Sequence, residues 1–122
     1  MYIQGFLIPV PDDKKEAYRA VAQKFADIMK EHGMIEVVEA WEADVPDGVH
    51  TDFRKAVKLE DGEKVVFSWV VWPDKETCEA AHANMMSEEF AKEVGNQMPF
   101  DGKRMIYGGF EPLVVYGRAS DV

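Results

Sequence analysis

The stretch Val65-Val66-Phe67-Ser68-Trp69-Val70-Val71-Trp72 is the most apolar segment of the chain, and its reading decides the fold. Eight residues rich in Val, Phe and Trp suit a β-strand and are far too few to span a bilayer. A strand with one wet face alternates apolar and polar side chains. This one does not. Val65, Phe67, Trp69 and Val71 fall on one face, and Val66, Ser68, Val70 and Trp72 on the other. Both faces call for cover, which places the strand inside a sheet with packing on either side.

Working outward, Asp61-Gly62 is a two-residue hairpin signal ahead of this strand, preceded by a short extended piece expected over Lys55 to Glu60. Residues 44–53 are expected to form an irregular loop, and Met34 to Ala43 a strand. Further back, Tyr18, Val21, Ala22, Phe25, Ile28, Met29 and His32 recur at three- and four-residue steps, one apolar stripe along a helix. Asp13 and Glu16 have the spacing of a capping box at its start, and Gly33 stops it, with Lys30 and His32 near the negative helix end. Tyr2 to Val10 is expected as the first strand, carrying Tyr2, Phe6 and Ile8 on one face and Ile3, Leu7 and Pro9 on the other. Downstream, Pro73-Asp74 opens a second helix with Cys78, Ala81, His82 and Met85 on one side. Ser87 marks a break before a further helical piece to about Val94. Gly95 to Lys103 is expected as a loop, and Met105 to Val115 as the last strand.

The order βαββαβ is the split βαβ, or ferredoxin-like, pattern: an α+β fold with an antiparallel sheet and both helices on one face. The helices can cover only one side, and periodicity does not say which set of side chains they take. Leaving the other side in water would forgo about 1.5–3 kcal/mol for each large side chain. The economical cover is a second copy, sheet against sheet, so a homodimer through the sheet face is expected.

At 122 residues, residues 1–122 read as a single domain, long enough to build a core without metal or disulfide. The lone Cys78 excludes an internal disulfide and suggests a reducing compartment. With neither a signal peptide nor a long apolar run visible, the expected location is cytoplasmic, with no membrane contact. Fourteen basic against 23 acidic residues leave a net charge of −9, which repels polyanions, so no nucleic acid partner is expected.

Five residues stand out as candidates for chemistry. Asp101 and Arg104 bracket a Gly turn at the mouth of the last strand, where a carboxylate and a guanidinium could hold a small polar substrate. A local ion pair closing a tight turn competes with that role. Tyr107 lies just inside the same strand, beside Gly108 and Gly109, which mark a bulge or a close approach of another group. His82 points toward the sheet by its helical spacing and could act as a general acid or base, against the commoner role of a locally hydrogen-bonded histidine. Glu39 shares a strand face with Val37 and Trp41; it needs a partner if that face is buried, and is simply solvated if the strand sits at a sheet edge. Cys78 and His82 are too few to bind a metal; His32 and His50 read as a helix-end and a loop residue. The chain has no phosphate-cradling glycine loop, nucleophile elbow or zinc spacing, so neither a cofactor nor a metal is expected.

Three segments carry a family resemblance across nearly the whole chain, up to about Val115. They are Met1-Tyr2-Ile3-Gln4-Gly5-Phe6 with Pro9-Val10-Pro11, Val65 to Val70, and Met98-Pro99-Phe100-Asp101-Gly102-Lys103-Arg104-Met105-Ile106-Tyr107-Gly108-Gly109-Phe110. On these the chain resembles the YbaA-like bacterial family, a domain of unknown function, within the dimeric α+β barrel superfamily. The resemblance implies the fold and a dimer, and no established activity. The wider superfamily includes cofactor-free monooxygenases, haem-degrading enzymes, lactone isomerases and small-ligand sensors, among which fold does not choose. Two expectations follow: a small ligand held between helices and sheet, or a cofactor-free small-molecule enzyme of monooxygenase or isomerase type. Binding is preferred, because no constellation meets the spacing tests of a catalytic site.

Overall fold

A computed structural model describes residues 1–85 and 98–117. Four strands, β1 (Tyr2–Pro11), β2 (Glu36–Trp41), β3 (Glu63–Trp72) and β4 (Ile106–Phe110), form one antiparallel sheet in the order β2-β3-β1-β4. Among the described residues three helices, α1 (Lys15–Glu31), α2 (Phe53–Ala56) and α3 (Lys75–Met85), accompany it. This is the ferredoxin-like α+β arrangement, with the two long strands β1 and β3 paired at the centre along their whole length. Among the described residues no helix is long and apolar enough to cross a membrane.

The structure also says which face takes the helices. Met29 of α1 and Cys78, Ala81 and Met85 of α3 pack with Val70 and Trp72 of β3, while Tyr18 of α1 packs with Ile8, Val10 and Val66. The set Val66, Ser68, Val70 and Trp72 therefore lies under the helices. The register puts Ile3, Gly5 and Leu7 of β1 on the opposite face, with Val65, Phe67, Trp69 and Val71 of β3, and Ile106, Gly108 and Phe110 of β4. Val65 and Val71 are buried there, but Phe67 stays 45% exposed and Phe110 59%. Phe53 of α2 meets the Phe67 ring edge-on at 6.0 Å, and Phe67 leans on Trp69 at 5.4 Å. The face is an aromatic patch that α1 and α3 leave uncovered, with Phe53 of α2 against Phe67 at one side.

Several local expectations are corrected. The capping box at Asp13 and Glu16 does not form. The backbone N–H of Asp12 donates to the Gly62 carbonyl at 2.8 Å, holding the chain to the β3 entry. Asp12–Lys14 then makes a tight 3-10 turn, and α1 begins at Lys15 with no side-chain cap. At the other end Gly33 takes φ +99°, the left-handed stop its position suggested, just after His32.

Lys55 to Glu60 is not extended. The Asp52 carboxylate accepts from the backbone N–H of Lys55 at 2.6 Å and of Gly48 at 3.0 Å, which closes the helical turn α2. That turn ends with Lys58 N–H donating to Lys55 O (3.1 Å) and Leu59 N–H to Arg54 O (3.0 Å), a Schellman pair with Lys58 at φ +50°. The Asp61-Gly62 turn does form, closed by Glu63 N–H to Glu60 O at 3.1 Å, and delivers the chain straight into β3. β4 stops at Phe110 rather than Val115, since Pro112 offers no N–H to a ladder. At α3 the Asp74 carboxylate caps the N–H of Thr77 at 2.7 Å, as expected. The expected break near Ser87, the helical piece to Val94 and the start of the loop at Gly95 lie outside the described residues.

Candidate functional site

Between α1, α3 and the covered face of the sheet lies a cavity of about 210 Å³. Its walls are mostly apolar, with Phe6, Phe25, Met29, Met85, Phe100 and Met105 contributing. Five polar side chains reach it: Gln4, Tyr18, Glu39, Ser68 and His82.

Three of the five form one group. Glu39 on β2 stands directly opposite Ser68 on β3, both on the helix side. Tyr18 comes down from the first turns of α1, on its apolar stripe. The Ser68 hydroxyl donates to Glu39 Oε2 at 2.7 Å, and the Tyr18 hydroxyl to Oε1 at 2.5 Å. Burial, and then the charge and hydrogen bond of Glu39, push the Tyr18 hydroxyl far above its ordinary ionisation range. Tyr18 is thus a fixed proton donor, and the Glu39 carboxylate keeps acceptor sites beyond the two used here.

The other two form a chain with Trp72. An indole N–H only donates, so the 2.9 Å contact from Trp72 Nε1 fixes the Gln4 carbonyl oxygen as acceptor. The Gln4 amide nitrogen then donates to His82 Nε2 at 2.7 Å. A ring nitrogen that accepts carries no proton, so the hydrogen of the neutral imidazole sits on Nδ1. His82 does turn toward the sheet, with its ring 6.5 Å from that of Trp72.

The remaining candidates lie elsewhere. Arg104 makes two bonds of 2.7 Å to the Glu63 carboxylate, one of 3.0 Å to Asp101 and one of 3.1 Å to the Lys58 carbonyl. Asp101 also caps the N–H of Lys103 at 3.0 Å. This pair pins the approach to β4 onto the head of β3, and neither residue lines the cavity. Tyr107 stacks on Phe6 with ring centres 6.2 Å apart and is largely exposed. Cys78 is buried, and burial raises its thiol above the usual range. Among the described residues no three His, Cys, Asp or Glu side chains gather as a metal site would require.

Glu39 and His82 thus border one cavity, while Asp101, Arg104 and Tyr107 do not join them. Sequence reasoning passed over Gln4, Tyr18 and Ser68. Two of these had a visible signal, a polar residue on the otherwise apolar face of a central strand. Tyr18 had none, since an aromatic on an amphipathic stripe reads as packing.

A second, open hollow of about 390 Å³ runs between α1 and the edge strand β2, lined by Lys15, Arg19, Gln23 and Trp41 among others. Tyr18, Ala22 and Glu39 belong to both hollows, so the Tyr18–Glu39 contact stands between the outer cleft and the inner cavity.

The model of a family described as "Protein of unknown function (DUF1428)" matches residues 1–102. The chain is 57% identical over 113 residues to the uncharacterised protein YbaA of Escherichia coli K12, covering 93% of this chain and 97% of that protein; the Shigella flexneri protein of the same name matches equally. Among solved structures, a mutant of SnoaB, a cofactor-independent oxygenase from Streptomyces nogalater, superposes with a TM-score of 0.62 at 13% identity, covering 96% of this chain and 98% of that one. A dimeric ferredoxin-like protein from an uncultured marine organism superposes with a TM-score of 0.56 at 6% identity, covering 97% of this chain and 100% of that one. At such identities the structural likeness speaks for the fold.

Proposed function

The chain belongs to the DUF1428 family, described only as being of unknown function, and from that starting point we propose that it is a small-ligand-binding homodimer. Two copies close their open sheet faces on each other, and each holds a small, largely apolar ligand in the cavity between α1, α3 and the sheet. The observation that carries this reading is the cavity itself, about 210 Å³ of apolar wall into which Gln4, Tyr18, Glu39, Ser68 and His82 reach. Cavities of about 150 Å³ already admit a benzene ring, so one or two rings is the matching size.

The dimer is supported by the open face. Phe67, Ile106 and Phe110 remain about half exposed on it, and covering the rest of each would gain roughly 1 kcal/mol. The marine fold neighbour is described as dimeric, and a second copy is the occupant that the two-fold logic of such a face favours. We place the protein in the cytoplasm as one domain, and with a net charge of −9 we assign it no nucleic acid partner.

Two measurements test the reading. Light scattering on the eluting protein should give twice 13.8 kDa; a monomer at micromolar concentration would reject the dimer. A thermal-shift screen with one- and two-ring compounds should raise the melting midpoint, and cavity-filling by Ala22→Phe should abolish the response. A response that survives Ala22→Phe would place the ligand elsewhere.

A second reading, a cofactor-free enzyme, draws on one observation. His82 and Glu39, a potential base and a hydrogen-bonded carboxylate, border the same cavity. The fold neighbour SnoaB is described as a cofactor-independent oxygenase. Binding stays ahead because Glu39 and His82 are engaged by different partners, Tyr18 and Ser68 for one and Gln4 for the other. Consumption of a bound compound, lost on His82→Ala with binding retained, would reverse that order.

A further inference from the structure

We propose that the ligand of the inner cavity is an organic cation, a small apolar molecule with an ammonium head that pairs with Glu39. The inference rests on the ligand-binding reading and specifies its chemistry. Among the described residues that line the cavity, Glu39 is the one acidic side chain, and no lysine or arginine stands beside it. Its two hydrogen-bond partners, Tyr18 and Ser68, are neutral hydroxyls that hold the carboxylate in place, while Glu39 itself stays solvent-exposed where the cavity meets the outer cleft lined by Lys15 and Arg19. A carboxylate has about four acceptor positions, and two are taken. An ammonium donor at that end of the cavity would add ionic attraction to a hydrogen bond that the carboxylate's own charge already strengthens.

The rest of the lining agrees. Phe6, Phe25 and Phe100 offer ring faces and Met29, Met85 and Met105 polarisable sulfur, surfaces that accept the hydrocarbon body of such a molecule and tolerate a cation nearby. A ligand carboxylate or phenolate would set a second negative charge beside Glu39. The Tyr18 hydroxyl already reports the cost of such a charge at this place, since burial and Glu39 both oppose its ionisation. At the far end, the Gln4 amide and His82 are engaged with one another and with Trp72, so they shape the wall more than they seek a charge. The net charge of −9 concentrates cations around the whole molecule and assists their capture.

The test is calorimetric titration of the full chain with four probes that share one ring: 2-phenylethylamine, 2-phenylethanol, 3-phenylpropionate and ethylbenzene. The amine should bind about tenfold tighter than the alcohol, because its charge adds ionic attraction to the hydrogen bond that either probe can give Glu39, and the carboxylate should bind weakest. Glu39→Gln should erase the amine's advantage over the alcohol. Equal binding of amine and alcohol, or preference for the carboxylate, overturns the cation assignment while the cavity stands. An amine advantage that survives Glu39→Gln overturns it too. If none of the four binds, the cavity reading and the cation assignment fall together. Should Glu39→Gln not fold, the ranking of the four probes on the unaltered chain decides alone.

Discussion

Arg104 meets Glu63 through two parallel hydrogen bonds of 2.7 Å, joining the segment ahead of β4 to the first residue of β3. The pair is largely shielded, with side chains 18% and 9% exposed. Arg104 reaches on to the carbonyl of Lys58, the one described non-glycine residue in the left-handed region. One guanidinium thereby ties together the turn after α2, the head of the central strand and the entry to an edge strand. The residue that looked most like substrate-binding equipment is occupied with holding the sheet's rim.

Loss of this clamp is expected to cost stability and not ligand binding. Arg104→Ala should destabilise the fold by roughly 1–2 kcal/mol, discounted for partial exposure. Arg104→Lys should recover only part, because an ammonium does not reproduce the two-pronged contact. Urea unfolding measures the first, and titration with any cavity ligand should show an unchanged affinity. A matching loss of affinity would return Arg104 to the site.

The same pair gives an acid limb. The Arg104 guanidinium holds the Glu63 carboxyl below its ordinary range, and Arg54 with the Val65 N–H lowers that of Glu42 against the opposing effect of burial. A carboxylate whose folded value is depressed stabilises the fold above the unfolded value, near 4.3, and that stability drains away as pH falls through the folded value. Unfolding free energy should therefore be level in this respect above about pH 5 and fall below about pH 4. Glu63→Gln should be less stable at pH 7 and show a shallower decline. Equal slopes for both proteins would show that Glu63 does not carry the linkage.

What could be read from the residues alone follows from how local each signal is. The βαββαβ order, the helix stop at Gly33 and the Asp74 cap are set by neighbours in sequence, and periodicity or a single cap reveals them. Capping at Asp13 failed because Gly62, fifty residues away, captures the Asp12 N–H. The extended reading of Lys55–Glu60 failed because Asp52 nucleates a helical turn whose left-handed end falls on a lysine rather than a glycine. The site was half visible for the same reason. Glu39 and His82 are chemically conspicuous, whereas Tyr18 and Ser68 matter only because β2 and β3 pair in a register that sets Glu39 against Ser68 beneath α1.

Of the Gly108-Gly109 pair, Gly109 is the one that a close approach requires. A Cβ on Gly109 would lie 1.7 Å from the Tyr2 hydroxyl, while the Phe110 ring lies 3.5 Å from where a Cβ would stand on Gly108 or on Gly5, its partner across the ladder. Gly109→Ala must expel the Tyr2 side chain and is expected to cost about 1–3 kcal/mol, as overpacking does. Gly108→Ala meets only ordinary contact and should cost less than about 1 kcal/mol, mainly through altered packing. Thermal unfolding of the two variants side by side checks the order, and equal losses would remove the Tyr2 explanation.

Lys58 offers a gain in the other direction. A non-glycine residue in the left-handed region carries roughly 1 kcal/mol of backbone strain, which glycine avoids at some entropic cost. Its backbone bonds to Lys55 and Arg104 do not depend on its side chain. Lys58→Gly is therefore expected to raise stability by a few tenths to about 1 kcal/mol. A drop in the urea midpoint would mean that the lysine side chain contributes more than its conformation costs.

The Gln4 relay makes a claim about a single proton. Trp72 orients the Gln4 amide, and the amide nitrogen forces His82 to accept at Nε2, so neutral His82 should be protonated at Nδ1, the tautomer less common in free imidazole. Nitrogen-15 chemical shifts of the ring, read well above neutral pH, distinguish the two tautomers directly. Gln4→Leu removes the donor and should shift the population toward Nε2–H, with His32 and His50 as internal references in the same spectrum. If His82 is already Nε2–H in the unaltered chain, the Gln4 amide must be turned over, and the contact with the Trp72 indole would be broken along with it. Tautomer and tryptophan hydrogen bond thus stand or fall together, and the indole N–H exchange rate gives an independent reading of the same arrangement.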